Sequence, residues 1–112
     1  MAYGKRLLFE DLRSIAFGAT GAAYVAVGSA LAHPIRAFKI DNFMDADMMF
    51  SIDGVNDHFV LHASSSWIQD ISMNAPMNSP FFMAQGDILY VKRIGVPASG
   101  SVYFSVLYGK GD

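Results

Sequence analysis

Five aspartates lie close together in the middle of the chain, Asp41, Asp45, Asp47, Asp53 and Asp57. Carboxylates at that density invite a calcium reading. An EF-hand loop, however, needs a glycine at its sixth position and a glutamate at its twelfth. Counted from Asp45, those positions hold Phe50 and Asn56, so the motif fails. Acids that cap turns at strand ends explain the run better. His58 and His62 are four apart, which on a helix would let both reach one metal ion. On a strand the same spacing separates them by about 13 Å. The surrounding pattern is that of a strand, so no metal site is expected. His33 precedes Pro34 and reads as a turn residue. Ser64, Ser65 and Ser66 follow His62, but there is no G-x-S-x-G elbow, and a triad is defined by geometry rather than by inventory. Gly18-Ala19-Thr20-Gly21 leads into no GK[ST] sequence and no helix, so it is not a phosphate loop. Lys92 and Arg93 beside Tyr90 have the chemistry of a single-strand stacking site. Two cations on a chain of net charge −2 do not make a basic track. The residues therefore predict no catalytic group, no cofactor and no enzyme.

The elements that carry these residues belong to one domain. A chain of 112 residues supports a single core. It is 53% hydrophobic, 13% aromatic and only 16% charged, against about 25% charged in an average protein. A composition this apolar excludes wholesale disorder, and so low a charge points to surface covered by a partner. With no cysteine, disulfides and cysteine-based metal centres are excluded. The acidic balance argues against nucleic acid. The stretch from Ser14 to Ile35 has no Asp, Glu, Lys or Arg, yet Gly18, Thr20, Gly21, Gly28, Ser29 and His33 interrupt it. Glu10 and Asp11 also separate it from Lys5 and Arg6, which spoils a secretory signal. Two short strands joined by the turn Gly18–Gly21 are expected there, with no membrane insertion.

Residues 1–13 read as an N-terminal arm. Its apolar residues Leu7, Leu8, Phe9 and Leu12 must pack either on their own domain or on a neighbour. Leu8, Leu12 and Ile15 would also suit one face of a short helix. Residues 14–112 read as one β domain. Phe38 and Ile40 alternate with Ala37, Lys39 and Asp41, and Met48, Phe50 and Ile52 continue the pattern to the turn Asp53-Gly54. Phe59 and Leu61 mark another strand, followed by Trp67 to Ser72 and Ile88 to Arg93. Ser101 to Tyr108 is the clearest, with Val102, Phe104, Val106 and Tyr108 on one face. Seven to nine short strands at this spacing predict an all-β fold, an antiparallel β-sandwich of jelly-roll type. Between them, Ser72 to Gln85 holds Met73, Met77, Phe81, Phe82 and Met83 together with Pro76 and Pro80. Prolines exclude a helix or a central strand. Large apolar side chains on a loop read either as a docking patch or as a cover for the open end of the sandwich.

Several runs resemble small virion proteins of tailed bacteriophages. They are Phe38-Lys39-Ile40-Asp41-Asn42, then Asp45-Ala46-Asp47, then Phe50-Ser51-Ile52-Asp53-Gly54-Val55-Asn56-Asp57-His58-Phe59. The ending matches as well, in Ile88-Leu89-Tyr90-Val91-Lys92-Arg93 and Ser99 through Gly109. The likeness covers roughly residues 35–109. In size and strand content the chain is most similar to capsid decoration, or cement, proteins of short-tailed phages of the epsilon-fifteen type. The stretch Trp67 to Met83 is richer in methionine and aromatics than that group.

The resemblance implies a non-enzymatic protein on the outer surface of an icosahedral capsid, clamping neighbouring copies of the major capsid protein. It also implies a homo-oligomer on the lattice, where modest affinity per copy is multiplied. A cysteine-free chain fits assembly in the reducing cytoplasm of a bacterial host. Leu7, Leu8, Phe9, Leu12, Met73, Met77, Phe81, Phe82 and Met83 are the partner-binding candidates. A head-to-tail connector or tail component of the same virion is the first rival reading. A carbohydrate-binding sandwich using exposed Trp67 and Tyr90 is the second.

Overall fold

A computed structural model describes residues 6–33, 35–70 and 86–110. Nine strands occur among them: β1 (Arg6–Phe9), β2 (Arg13–Ala16), β3 (Val25–Ala26), β4 (Ile35–Asn42), β5 (Met48–Ser51), β6 (Phe59–Leu61), β7 (Ser65–Asp70), β8 (Tyr90–Arg93) and β9 (Ser101–Lys110). A 3₁₀ turn at Phe17–Ala19 follows β2, and no α-helix occurs among the described residues. The strands form two antiparallel sheets. In the first, β9 and β4 are central, with β7 at one edge and β1 and β2 sharing the other. The second runs β3-β8-β5-β6. The fold is the expected all-β antiparallel sandwich.

Alternation decides which side chains meet between the sheets. In β9, Val102, Phe104 and Val106 are buried, while Ser101, Tyr103, Ser105 and Leu107 keep partial contact with solvent. Opposite them, Phe38 of β4 pairs with Val106 and Ile40 with Phe104. A one-residue slip would turn all of these outward, so the apolar face itself sets the register. The register shifts once, between Ile35 and Ala37. This bulge at Arg36 keeps Ile35 pointing inward opposite Tyr108.

A chain of aromatic rings bridges the two sheets. Phe104 meets Phe38 at 6.4 Å, and Phe38 meets Trp67 edge-on at 4.9 Å. Trp67 then meets Phe59 at 5.0 Å, and Phe59 stacks on Phe50 at 5.1 Å. Such pairs add about 0.5–1.5 kcal/mol each beyond the area they bury. Trp67 is thus a half-buried core residue rather than the exposed aromatic that sugar binding would need. Its alternation partner Ile68 takes the outward position.

The connections at one end of the sandwich are tied by side-chain–backbone hydrogen bonds. The buried amide of Asn42 donates to the carbonyls of Leu61 and His62, and its oxygen accepts from Met44 N–H. Arg93 donates to Thr20 Oγ1 and to the Phe17 carbonyl, both at 3.0 Å. The two short strands expected on either side of the turn Gly18–Gly21 are β2 and β3, and the segment between them crosses between layers. β2 before it pairs with β9, and β3 after it pairs with β8 in the other sheet. Val27 is buried in the core and Val25 packs against it, which seats this part of the chain in the second sheet.

Candidate partner-binding surface

The N-terminal residues proposed for docking are extended and paired along β9. Leu7 lies opposite Gly109, Leu8 opposite Tyr108 and Phe9 opposite Leu107. Strand alternation then separates them. Leu8 shares the inward side with Tyr108 and is half-buried. Phe9 shares the outer side with Leu107 and is 68% exposed, and Leu12, in the connection to β2, is 60% exposed. Among the docking candidates whose side chains are described, Phe9 and Leu12 present large apolar surface to solvent. Met73, Met77, Phe81, Phe82 and Met83 lie outside the described residues. Asp70 pairs with Ala37, which faces Leu107 and through it Phe9, in one row across the sheet. Gly86 N–H donates to the Leu31 carbonyl. Leu31 belongs to the β3–β4 connection, which packs on the β1–β2 connection through Arg13. Both flanks and the exposed Phe9 thus share one end of the sandwich.

A cleft of about 350 Å³ opens at that end, walled by Phe9, Glu10, Asp11, Arg13, His33 and Tyr108. Its floor is an ion pair with little access to water. Arg13 Nη2 donates to Glu10 Oε1 at 2.7 Å, and the two side chains are only 7% and 5% exposed. Arg13 also donates to the carbonyls of Ser29 and Ala30, at 2.8 and 2.9 Å, and to that of Asp11. Glu10 further accepts from Ala32 N–H and lies 2.8 Å from His33 Nδ1. The imidazole stacks flat on Tyr108, with ring centroids 3.6 Å apart. Gly28 makes room for this arrangement. With φ at +74° it has no Cβ, and one placed there would lie 2.7 Å from Arg13 Cβ and Cγ. Burial pushes the Glu10 carboxyl up, but hydrogen bonds from His33, Arg13 and Ala32 together with the Arg13 charge outweigh it. The net effect holds the group below the usual carboxylate range.

The other candidate groups have structural work. Asp45 accepts from Ala98 N–H, and Asp47 accepts from Ala63 N–H and pairs with His62. Asp53 closes its turn by accepting from the N–H groups of Asn56 and Val55, which hold its carboxyl well below the ordinary range. Asp57 accepts from the Tyr24 hydroxyl and pairs with Lys92 at 2.9 Å. Burial, then that bond to Asp57, pushes the Tyr24 phenol well above its usual value. His58 sits near Asp53 and His62 near Asp47, so the two imidazoles serve separate turns. Ser65 Oγ donates to the His62 carbonyl rather than to its ring, and Ser66 Oγ donates to Asp41. Among the described residues no three His, Asp or Glu side chains gather as metal ligands. Tyr90 covers Gly54, where a Cβ would lie 3.2 Å from the ring.

Sequence reasoning missed the Glu10–Arg13–His33 cluster. The only local signal was a glutamate and an arginine three apart, Glu10 and Arg13, with Asp11 between them. It also missed a set of exposed apolar residues at the opposite end of the sandwich, Phe17, Phe43, Ile94 and Val96. The chain matches no family model, and comparison with curated proteins and with solved structures likewise gives no match.

Proposed function

We propose that this chain is a non-enzymatic structural protein of a bacteriophage virion, a capsid decoration protein that binds the outer shell and clamps neighbouring copies of the major capsid protein. The observation that carries the reading is the pair Phe9 and Leu12. Two large apolar side chains stand exposed on an N-terminal segment whose backbone is already seated, beside a cleft, on a protein poor in charge. Apolar anchors beside polar groups are the anatomy of a protein interface. The wiring supports the jelly-roll form of the reading, since β2-β9-β4-β7 against β3-β8-β5-β6 is the order expected of two interlocked Greek keys. The likeness of residues 35–109 to small phage virion proteins supplies the particle. On a lattice, many identical copies make weak contacts sufficient.

Copy number in purified particles, measured by quantitative mass spectrometry against the major capsid protein, tests this. Hundreds of copies are expected. Six or twelve copies would move the protein to the head-to-tail axis, and absence from particles would remove both virion readings. The carrying residues have their own test. Phe9→Ala combined with Leu12→Ala should strip the protein from capsids in a sedimentation assay while leaving its urea midpoint within experimental scatter. Truncating exposed side chains costs little folding energy, whereas interface anchors contribute much of the binding. Full retention of the double variant on particles would place the contact elsewhere.

A further inference from the structure

We infer that the cleft at the β1–β2 connection is a receptor for a basic side chain, arginine above all, presented by the protein partner. The inference rests on reading this end of the sandwich as the partner-binding surface and names the chemistry it selects. Two carboxylates and one guanidinium line the cleft. Arg13 commits four of its five N–H groups to Glu10 and to three carbonyl oxygens, and its charge neutralises one acid. The second acid, Asp11, is exposed at the rim. Its backbone carbonyl accepts from Arg13, but its carboxylate meets no partner among the described residues. Among the described side chains that line it, with His33 counted as neutral, the cleft carries one more negative than positive charge.

Its walls suit a planar cation. Phe9 presents most of its ring to solvent, and Tyr108 and His33 form a stacked pair held in place by Glu10. A guanidinium lying against an aromatic face gains from the ring quadrupole. The same group offers a two-pronged donor to a carboxylate, as an ammonium cannot. An acidic side chain would meet repulsion, and an apolar one would leave Asp11 facing it without compensation. Glu10, which holds the stacked His33, is already ordered by Arg13, Ala32 and the Val106 carbonyl, and Arg13 also holds the Asp11 carbonyl. Little rearrangement is then needed on binding.

The test uses the full chain and small probes. N-acetyl-arginine amide is titrated into the protein while the His33 and Tyr108 ring signals are followed by NMR, with N-acetyl-glutamine amide as the uncharged control. A saturable shift at about millimolar dissociation constant is expected for the arginine probe. Asp11→Asn should weaken it about three- to fivefold, as should raising the salt to a Debye length of about 4 Å. No saturable shift, equal response to the glutamine probe, or unchanged affinity in Asp11→Asn would overturn the inference. Asp11 is exposed and bears no fold contact through its carboxylate, so the variant reports binding rather than unfolding. The two readings fail separately. Hundreds of copies per particle without arginine binding would remove only the cleft receptor. Arginine binding in a protein absent from particles would remove only the virion role.

Discussion

Gly100→Ala should destabilise the fold by about 3–5 kcal/mol, more than the same change at the other glycines with a described environment. Two costs combine. Gly100 has φ at +96°, a backbone conformation that alanine adopts only under strain. A Cβ there would also sit 2.1 Å from the Phe43 carbonyl oxygen and 2.8 Å from Met44 Cα. Both are backbone atoms and cannot swing away as a long side chain would. The neighbourhood is pinned from three sides. Gly100 O accepts from Phe17 N–H, Phe43 N–H donates to Ser101 O, and Asp45 holds Ala98 N–H. Relief of the clash must therefore displace the start of β9, the strand on which β1, β2 and β4 all pair. Gly18→Ala is the control, because a Cβ there meets no atom within 4 Å. It should shift stability by less than about 1 kcal/mol. Urea unfolding of the two variants beside the wild type decides the matter. Equal midpoints for Gly100→Ala and Gly18→Ala would mean that this junction is far softer than its contacts require.

The strands that were legible in the sequence are those with two unlike faces. Phe38 and Ile40 against Lys39, and Val102, Phe104 and Val106 against Ser101, Tyr103 and Ser105, each define a period of two that only a half-buried strand satisfies. β4 and β9 accordingly fall where the alternation puts them. Which strand pairs with which is a different kind of information. β2 and β3 are separated by one short turn of small residues, yet each is claimed by a different sheet. That choice is made by β9 and β8, far along the chain, and leaves no local trace. Trp67 shows the limit at single-residue level. Composition made it a candidate for sugar binding, but in β7 the alternation of Trp67 with Ile68 allows either to face inward. Contact with Phe38 and Phe59 decides it. The candidate cleft was the least legible feature. His33 is twenty-three residues from Glu10, and nothing in the spacing of the two announces a hydrogen bond. Phe9 and Leu12 were proposed from apolar excess near the start of the chain, and the structure adds that they are exposed whereas Leu8, paired with Tyr108, is half-buried.

The cluster that sequence hid should be the costliest polar group to remove. Glu10→Ala is expected to lower stability at neutral pH by about 3 kcal/mol, at the lower end of what breaking a buried pair costs. The loss comes less from the missing attraction than from what it leaves behind. Arg13 keeps its bonds to the Ser29, Ala30 and Asp11 carbonyls but loses the only carboxylate compensating its charge. Ala32 N–H and His33 Nδ1 lose their acceptor as well. Glu10→Gln retains one acceptor oxygen and should cost about half as much. The pH dependence carries the sharper test. Because the folded state holds the Glu10 carboxyl below its ordinary value of 4.5, the stability it contributes is present above that pH. It is lost as pH falls through the lowered folded value. The gap in urea midpoint between wild type and Glu10→Ala should therefore be widest near neutrality and should narrow steadily below about pH 4. A gap that stays constant down to pH 2.5 would show that the carboxylate charge contributes nothing. In that case Glu10 acts through neutral hydrogen bonds and packing at the β1–β2 connection rather than through its charge.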